Sequence, residues 1–210
     1  MMLRLLVIEV IILVVQGVLY FGCETLQHDH RNVLRPIDDR IPLVPEFAYV
    51  YLNWFPLIAV YPLILYTVSA QDYAIYQLSI MVSIIASTVL YLLFPTRMDR
   101  HVPEDCHWNK LLRLIYKCDY KGSNCSPSLH CVQCFIIMMS VCQSSGIHTG
   151  DMVFIMILCT AIVASTVLIK QHALIDIITA VPLALFSFAA GRLISSHVGC
   201  EVILKAMGLA

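Results

Sequence analysis

Two histidines and one aspartate carry the spacing from which chemistry can be built. His172 and Asp176 stand four residues apart, so on a helix they share a face and the carboxylate reaches the imidazole. A carboxylate on one ring nitrogen fixes the tautomer and leaves the other nitrogen as a base or a nucleophile. Asp176 falls inside an apolar run, where a carboxylate is costly unless it is paired. A plain polar contact between helices is the competing reading, and the ready partner in His172 favours chemistry over it. The second histidine follows Ser126-Pro127-Ser128-Leu129. Pro127 suits a first helical position and Ser126 an N-cap, so His130 is expected in the first turn of a helix. Such a start offers free N–H groups and the positive end of the dipole to an anion. Taken alone, His130 reads better as an interfacial histidine beside an ordinary cap.

The elements that hold these residues are expected to lie in a membrane. The chain has 210 residues, 60% hydrophobic and 13% charged, against about 25% charged in a typical soluble domain. Such apolar content needs lipid as its solvent. Six runs approach the length of about 20 residues that spans a bilayer: residues 4–22, 47–69, 74–94, 127–145, 152–169 and 173–196. The first is read as a retained helix, since no small-residue cleavage pattern follows it. The expectation is one all-α domain over residues 1–210, a polytopic bundle of six transmembrane helices. Six spans place three eventful segments on one side: residues 23–46, the long loop 95–126, and the link 169–172.

The formal net charge of -1 gives no sign of a nucleic-acid partner. Placement is more informative. Of the 13 Lys and Arg, all but Arg4, Arg192 and Lys205 fall on the eventful side, which a literal positive-inside count assigns to the cytoplasm. Cys131, Cys134, Cys142 and Cys159 fall in apolar runs and read as small hydrophobes. Cys106, His107, Cys118 and Cys125 share the polar loop without a recognised ligand spacing, so no metal is expected there.

At these residues the chain resembles the type 2 phosphatidic acid phosphatase superfamily, which includes lipid phosphate phosphatases. Pro127-Ser128-Leu129-His130 is similar to that family's second motif, and Ser165, His172 and Asp176 to its third at the same spacing. Leu129, with Asp119 and Asn124 upstream, resembles the branch near inositol phosphorylceramide synthases. Thr166 stands where the third motif has an arginine, and Phe94-Pro95-Thr96-Arg97-Met98-Asp99-Arg100-His101 is a degenerate first motif. The resemblance covers about residues 35–192.

The resemblance implies metal-independent phosphoryl transfer without a cofactor. His172 would attack phosphorus and form a phospho-histidine, Asp176 would orient it, and His130 would protonate the leaving alcohol and then activate the acceptor. Ser128, Ser165, Arg100, Arg97 and Lys170 would hold the phosphate, with Lys170 supplying the charge that Thr166 lacks. Arg35-Pro36 is a further candidate, or only a loop anchor. The leading expectation is a phosphatase acting on a lipid phosphate or pyrophosphate. A phosphotransferase moving a head group between lipids is the alternative, and a non-catalytic scaffold or transporter the second. The resemblance also places the site on the non-cytoplasmic side, against the charge count.

Overall fold

The computed structural model describes residues 2–99, 107–119 and 121–209. Arg100, His101 and Cys106 lie outside them. The described chain is mostly helix: α1 (Met2–Leu26), α2 (Phe47–Leu52), α3 (Trp54–Val68), α4 (Ala70–Leu93), α5 (His107–Cys118), α6 (Leu129–Gln143), α7 (Thr149–Leu168), α8 (Leu174–Val198) and α9 (Cys200–Ala206). Two short strands, β1 (Arg31–Asn32) and β2 (Thr96–Arg97), pair in parallel. Among the described residues, five helical segments are long and apolar enough to cross a membrane: α1, α2 with α3, α4, α7 and α8. Their outward faces present apolar side chains, such as Val10, Val14 and Val18 of α1 and Ile157 of α7, as lipid-facing helices require.

α6 is the departure from six long apolar runs. It has 15 residues, about 22 Å at 1.5 Å per residue. Its start differs from the expected cap at Ser126. Ser128 is the N-cap, extended at φ -68 and ψ 117, and its hydroxyl accepts the Cys131 N–H. Most of α6 is buried, because it packs against α3, α4, α7 and α8. It sits at the centre of the bundle, enclosed by helices rather than lipid.

Small side chains set the closest helix approach. A Cβ added to Gly191 of α8 would overlap the Ser79 hydroxyl and stand 2.8 Å from the Ile75 carbonyl of α4. Ser83, Ser87 and Ser187 are buried on the same two helices, the composition that lets membrane helices pack closely. α1 is tied on by polar groups: Tyr73 and Gln77 of α4 donate to Glu9, and Gln133 of α6 donates to Gln16 at 2.6 Å.

The eventful segments meet at one end of the bundle. Gln27 donates to Asn124 at 2.7 Å, Lys170 donates to the carbonyls of Asp38 and Ile41, and the Ser128 N–H donates to the Asp176 carbonyl at 3.3 Å. The polar loop 95–126, read from sequence as irregular, contains α5. Its Leu112, Ile115 and Tyr116 turn inward while Lys110, Arg113 and Lys117 stay exposed. This amphipathic helix packs on Ala48, Tyr51 and Ile169, over the ends of α2 and α7. The apolar cysteines are buried as read at Cys131, Cys134 and Cys159, whereas Cys142, near the end of α6, is exposed.

Candidate active site

The start of α8 is built around Asp176. After α7 the chain turns sharply: Lys170 takes the left-handed φ of 54, and the N–H groups of Gln171 and His172 both donate to the Thr166 carbonyl. That turn brings His172 onto the first residues of α8. Asp176 Oδ2 accepts the Ala173 N–H at 3.0 Å and lies 3.3 Å from His172 Nδ1. One carboxylate oxygen thus caps the helix start and holds the imidazole. Asp176 is 0% exposed and His172 5%, so the pair is withdrawn from solvent, where a lone carboxylate would be costly.

A second brace comes from the loop before α2. Asp38, itself buried, accepts the Leu174 N–H on Oδ1 and the Arg35 N–H on Oδ2, each at 2.8 Å. The start of α8 is therefore fixed from the loop side as well as from within.

His130 enters from α6. Tyr91 donates to the Pro127 carbonyl at 2.7 Å, Ser126 bonds Thr179 of α8 at 2.8 Å, and the Ser128 backbone bonds Asp176. These contacts set the first turn of α6 beside the first turn of α8. The His130 and His172 ring centroids are 5.7 Å apart. His130 Nε2 lies 2.8 Å from the Tyr51 hydroxyl, with the Tyr51 ring at 4.7 Å and the Trp54 ring at 4.3 Å.

Both histidines border a cavity of about 380 Å³. Its walls are apolar: Leu13, Gly17 and Phe21 of α1, Phe55 of α3, Leu111 and Leu114 of α5. Polar lining comes from Gln16, Asp119, Asn124, Gln171 and the two histidines. Gln171, next to His172, donates to Asp119 at 2.6 Å, and Asn124 donates to the Tyr20 carbonyl at 2.8 Å. A hydrocarbon chain fits such walls, and an anionic or hydroxylated head fits the histidine end.

Of the residues singled out from sequence, the structure brings together His172, Asp176 and His130. It keeps Ser128, Ser165, Lys170 and Arg97 out of that cavity lining. Ser128 caps its own helix, and the Ser165 hydroxyl donates to the Ile162 carbonyl at 2.6 Å. Lys170 spends its ammonium on two backbone carbonyls, at 2.6 and 2.5 Å. Arg97 is exposed and pairs with Asp99 at 2.9 Å, in a separate polar pocket with His28, Asp29, His30 and Asn32. Arg100 lies outside the described residues. Thr166 is fully buried, its hydroxyl donating to the Val163 carbonyl. Sequence reasoning missed Tyr51, Trp54, Gln171 and the brace by Asp38. Only Gln171 carried a local signal, as the neighbour of His172. Among the described residues, no group of three or more His, Cys, Asp or Glu is placed to hold a metal ion.

No family model, curated protein or solved structure matches this chain.

Proposed function

We propose that the protein is a membrane-embedded lipid phosphate phosphatase that works through a phospho-histidine. The observation that carries the reading is the buried His172–Asp176 pair, 3.3 Å apart, with His130 5.7 Å away across one apolar-walled cavity. Asp176 holds the proton on Nδ1 of His172, and Nε2 attacks phosphorus. As the N–P bond forms, the bond to the lipid oxygen breaks and the leaving oxygen takes a proton that originates on His130. Water then attacks the phospho-histidine, His130 takes the water's proton back, and phosphate leaves. Phosphoryl transfer needs chiefly positioning and charge stabilisation on the non-bridging oxygens. Arg100 is our candidate for that charge. The protein in this reading has six spans, α6 being the short enclosed one, and the histidine end faces away from the cytoplasm, as the family resemblance implies.

The test is a panel of lipid phosphates offered to the purified protein in detergent with EDTA, with products identified by mass. Released inorganic phosphate supports a phosphatase. A head group moved onto a second lipid would replace water by a lipid alcohol as acceptor. His172→Ala should lower turnover by about 10³-fold or more and abolish the acid-labile phosphate trapped on the wild-type protein. Equal turnover by His172→Ala and wild type would refute the reading.

A further inference from the structure

Tyr51 is the neighbour of the two histidines that the reaction above leaves without a task. It opens the second hydrophobic segment, is only 4% exposed, and borders the same cavity as both histidines. Its hydroxyl lies 2.8 Å from His130 Nε2, within the range over which a proton is passed. The imidazole also lies against the Tyr51 and Trp54 rings, which limits its turning.

The contact on His130 Nε2 gives that hydroxyl a purpose. In-line transfer sets the attacking nitrogen about 3 Å from phosphorus and the proton donor about 3 Å from the leaving oxygen. With a P–O bond between them, the two nitrogens stand roughly 6–7 Å apart. The ring centroids are 5.7 Å apart, a separation compatible with that span, but His130 Nε2 is already engaged by the Tyr51 hydroxyl at 2.8 Å. Direct protonation from Nε2 would break that contact, whereas passing the proton through the Tyr51 hydroxyl keeps it.

We propose that the Tyr51 hydroxyl hands the proton of His130 to the leaving oxygen, an inference that rests on the phosphoryl-transfer reading above. In the first half-reaction the His172 lone pair forms the P–N bond and the P–O bond to the lipid breaks. The leaving oxygen takes the Tyr51 proton while Tyr51 takes the Nε2 proton of His130, leaving the imidazole neutral. In the second half-reaction water bonds phosphorus and the P–N bond breaks. The water's proton goes to Tyr51, whose own proton returns to His130 Nε2. Tyr51 starts and ends each cycle as a neutral phenol.

The experiment compares a long-chain alkyl phosphate with a 4-nitrophenyl phosphate diluted in the same micelles, for wild type, Tyr51→Phe and His172→Ala. Read in the first turnover, before the shared hydrolysis step that also uses Tyr51, Tyr51→Phe should release nitrophenolate, which leaves without a proton, as fast as wild type and release the alkyl alcohol about 10²-fold more slowly. Full activity of Tyr51→Phe on the alkyl phosphate overturns the relay. Equal loss of the first-turnover rate on both substrates overturns it too, because that is the signature of a structural role. A wild type with no turnover, or a His172→Ala protein as active as wild type, instead overturns the phosphoryl-transfer reading and the relay with it. If Tyr51→Phe fails to fold, 3-fluorotyrosine at position 51 keeps the ring and hydroxyl with a more acidic phenol. It should raise the first-turnover rate on the alkyl phosphate relative to the nitrophenyl one. An unchanged ratio overturns the proposal.

Discussion

Asp38 and Lys170 divide the support of the His172 segment between them. Asp38 satisfies the Leu174 N–H at the start of α8, and Lys170 satisfies two carbonyls of the segment that presents Asp38. Asp38→Ala leaves two N–H groups without their acceptor, at a cost of about 1–3 kcal/mol for each that stays buried. Thermal unfolding in detergent should fall accordingly, and kcat should drop more than KM rises, because His172 loses its register with Asp176. Lys170→Ala should likewise lower the unfolding temperature and leave KM for the lipid phosphate near wild type. A large rise in KM would instead return Lys170 to the phosphate. At this scale the His172–Asp176 pairing was legible from spacing but not its geometry: His172 precedes the N-cap Ala173 of α8, and the turn at Lys170, with Asp176 capping the helix start, makes the contact. The Tyr51–His130 contact was not legible, because it joins residues of different helices through packing that no local period records. The backbone contacts of the serines were not legible for a related reason. A hydroxyl at a helix start or inside a helix finds a backbone partner first, and Ser128 and Ser165 both do.

Helix packing decides how firmly that site is held, and two contacts offer direct tests. Gly191 lies where α8 comes closest to α4, and a methyl added there would meet the Ile75 carbonyl at 2.8 Å and the Ser79 nitrogen at 2.9 Å. Gly191→Ala forces two helices apart and should destabilise by about 1–3 kcal/mol. Gly22→Ala in α1, with nothing within 4 Å, should not destabilise and so serves as the control for thermal unfolding. Glu9 is the other contact. It is buried in α1 and accepts from Tyr73 and Gln77, so Glu9→Ala strands two donors inside the bundle at about 1–3 kcal/mol each. α1 supplies one wall of the cavity, so KM for the lipid should rise as α1 loosens. Glu9→Gln keeps an acceptor oxygen and should cost less; an equal cost would mean that packing rather than hydrogen bonding holds α1. The long apolar runs were legible because hydrophobicity summed over a whole span needs no tertiary information. α5 was not, since its apolar positions are few and sit in a charged loop, and only the faces of α2 and α7 make that side buried. α6 was legible as apolar but not as short, because its enclosure by other helices is a property of the bundle.

Orientation belongs to the whole molecule, and the charge count and the family resemblance oppose each other there. Ten of the 13 Lys and Arg lie in segments at the histidine end, which the positive-inside rule would place in the cytoplasm. Several of the ten have local work that biases the count. Lys170 ties the 38–41 turn, Arg97 pairs with Asp99, Lys121 donates to the Glu24 carbonyl, and Arg100 is proposed as a phosphate ligand. We therefore expect the histidine end to face away from the cytoplasm. Ser123 lies in the same loop but is buried, with its hydroxyl on Glu24, so a cysteine there would not report access. Asp39 is exposed at the histidine end and Ser145 at the other. Each is replaced by cysteine in a background with Cys106, Cys118, Cys142 and Cys200 changed to serine. A membrane-impermeant thiol reagent is then applied before and after selective permeabilisation of the plasma membrane. For a plasma-membrane protein, Asp39→Cys should label in intact cells and Ser145→Cys only after permeabilisation. For an organelle protein, Ser145→Cys should label once the plasma membrane is open, and Asp39→Cys only when the organelle is opened as well. The reverse pattern in either membrane would place the histidines in the cytoplasm and restore the charge count as the better guide.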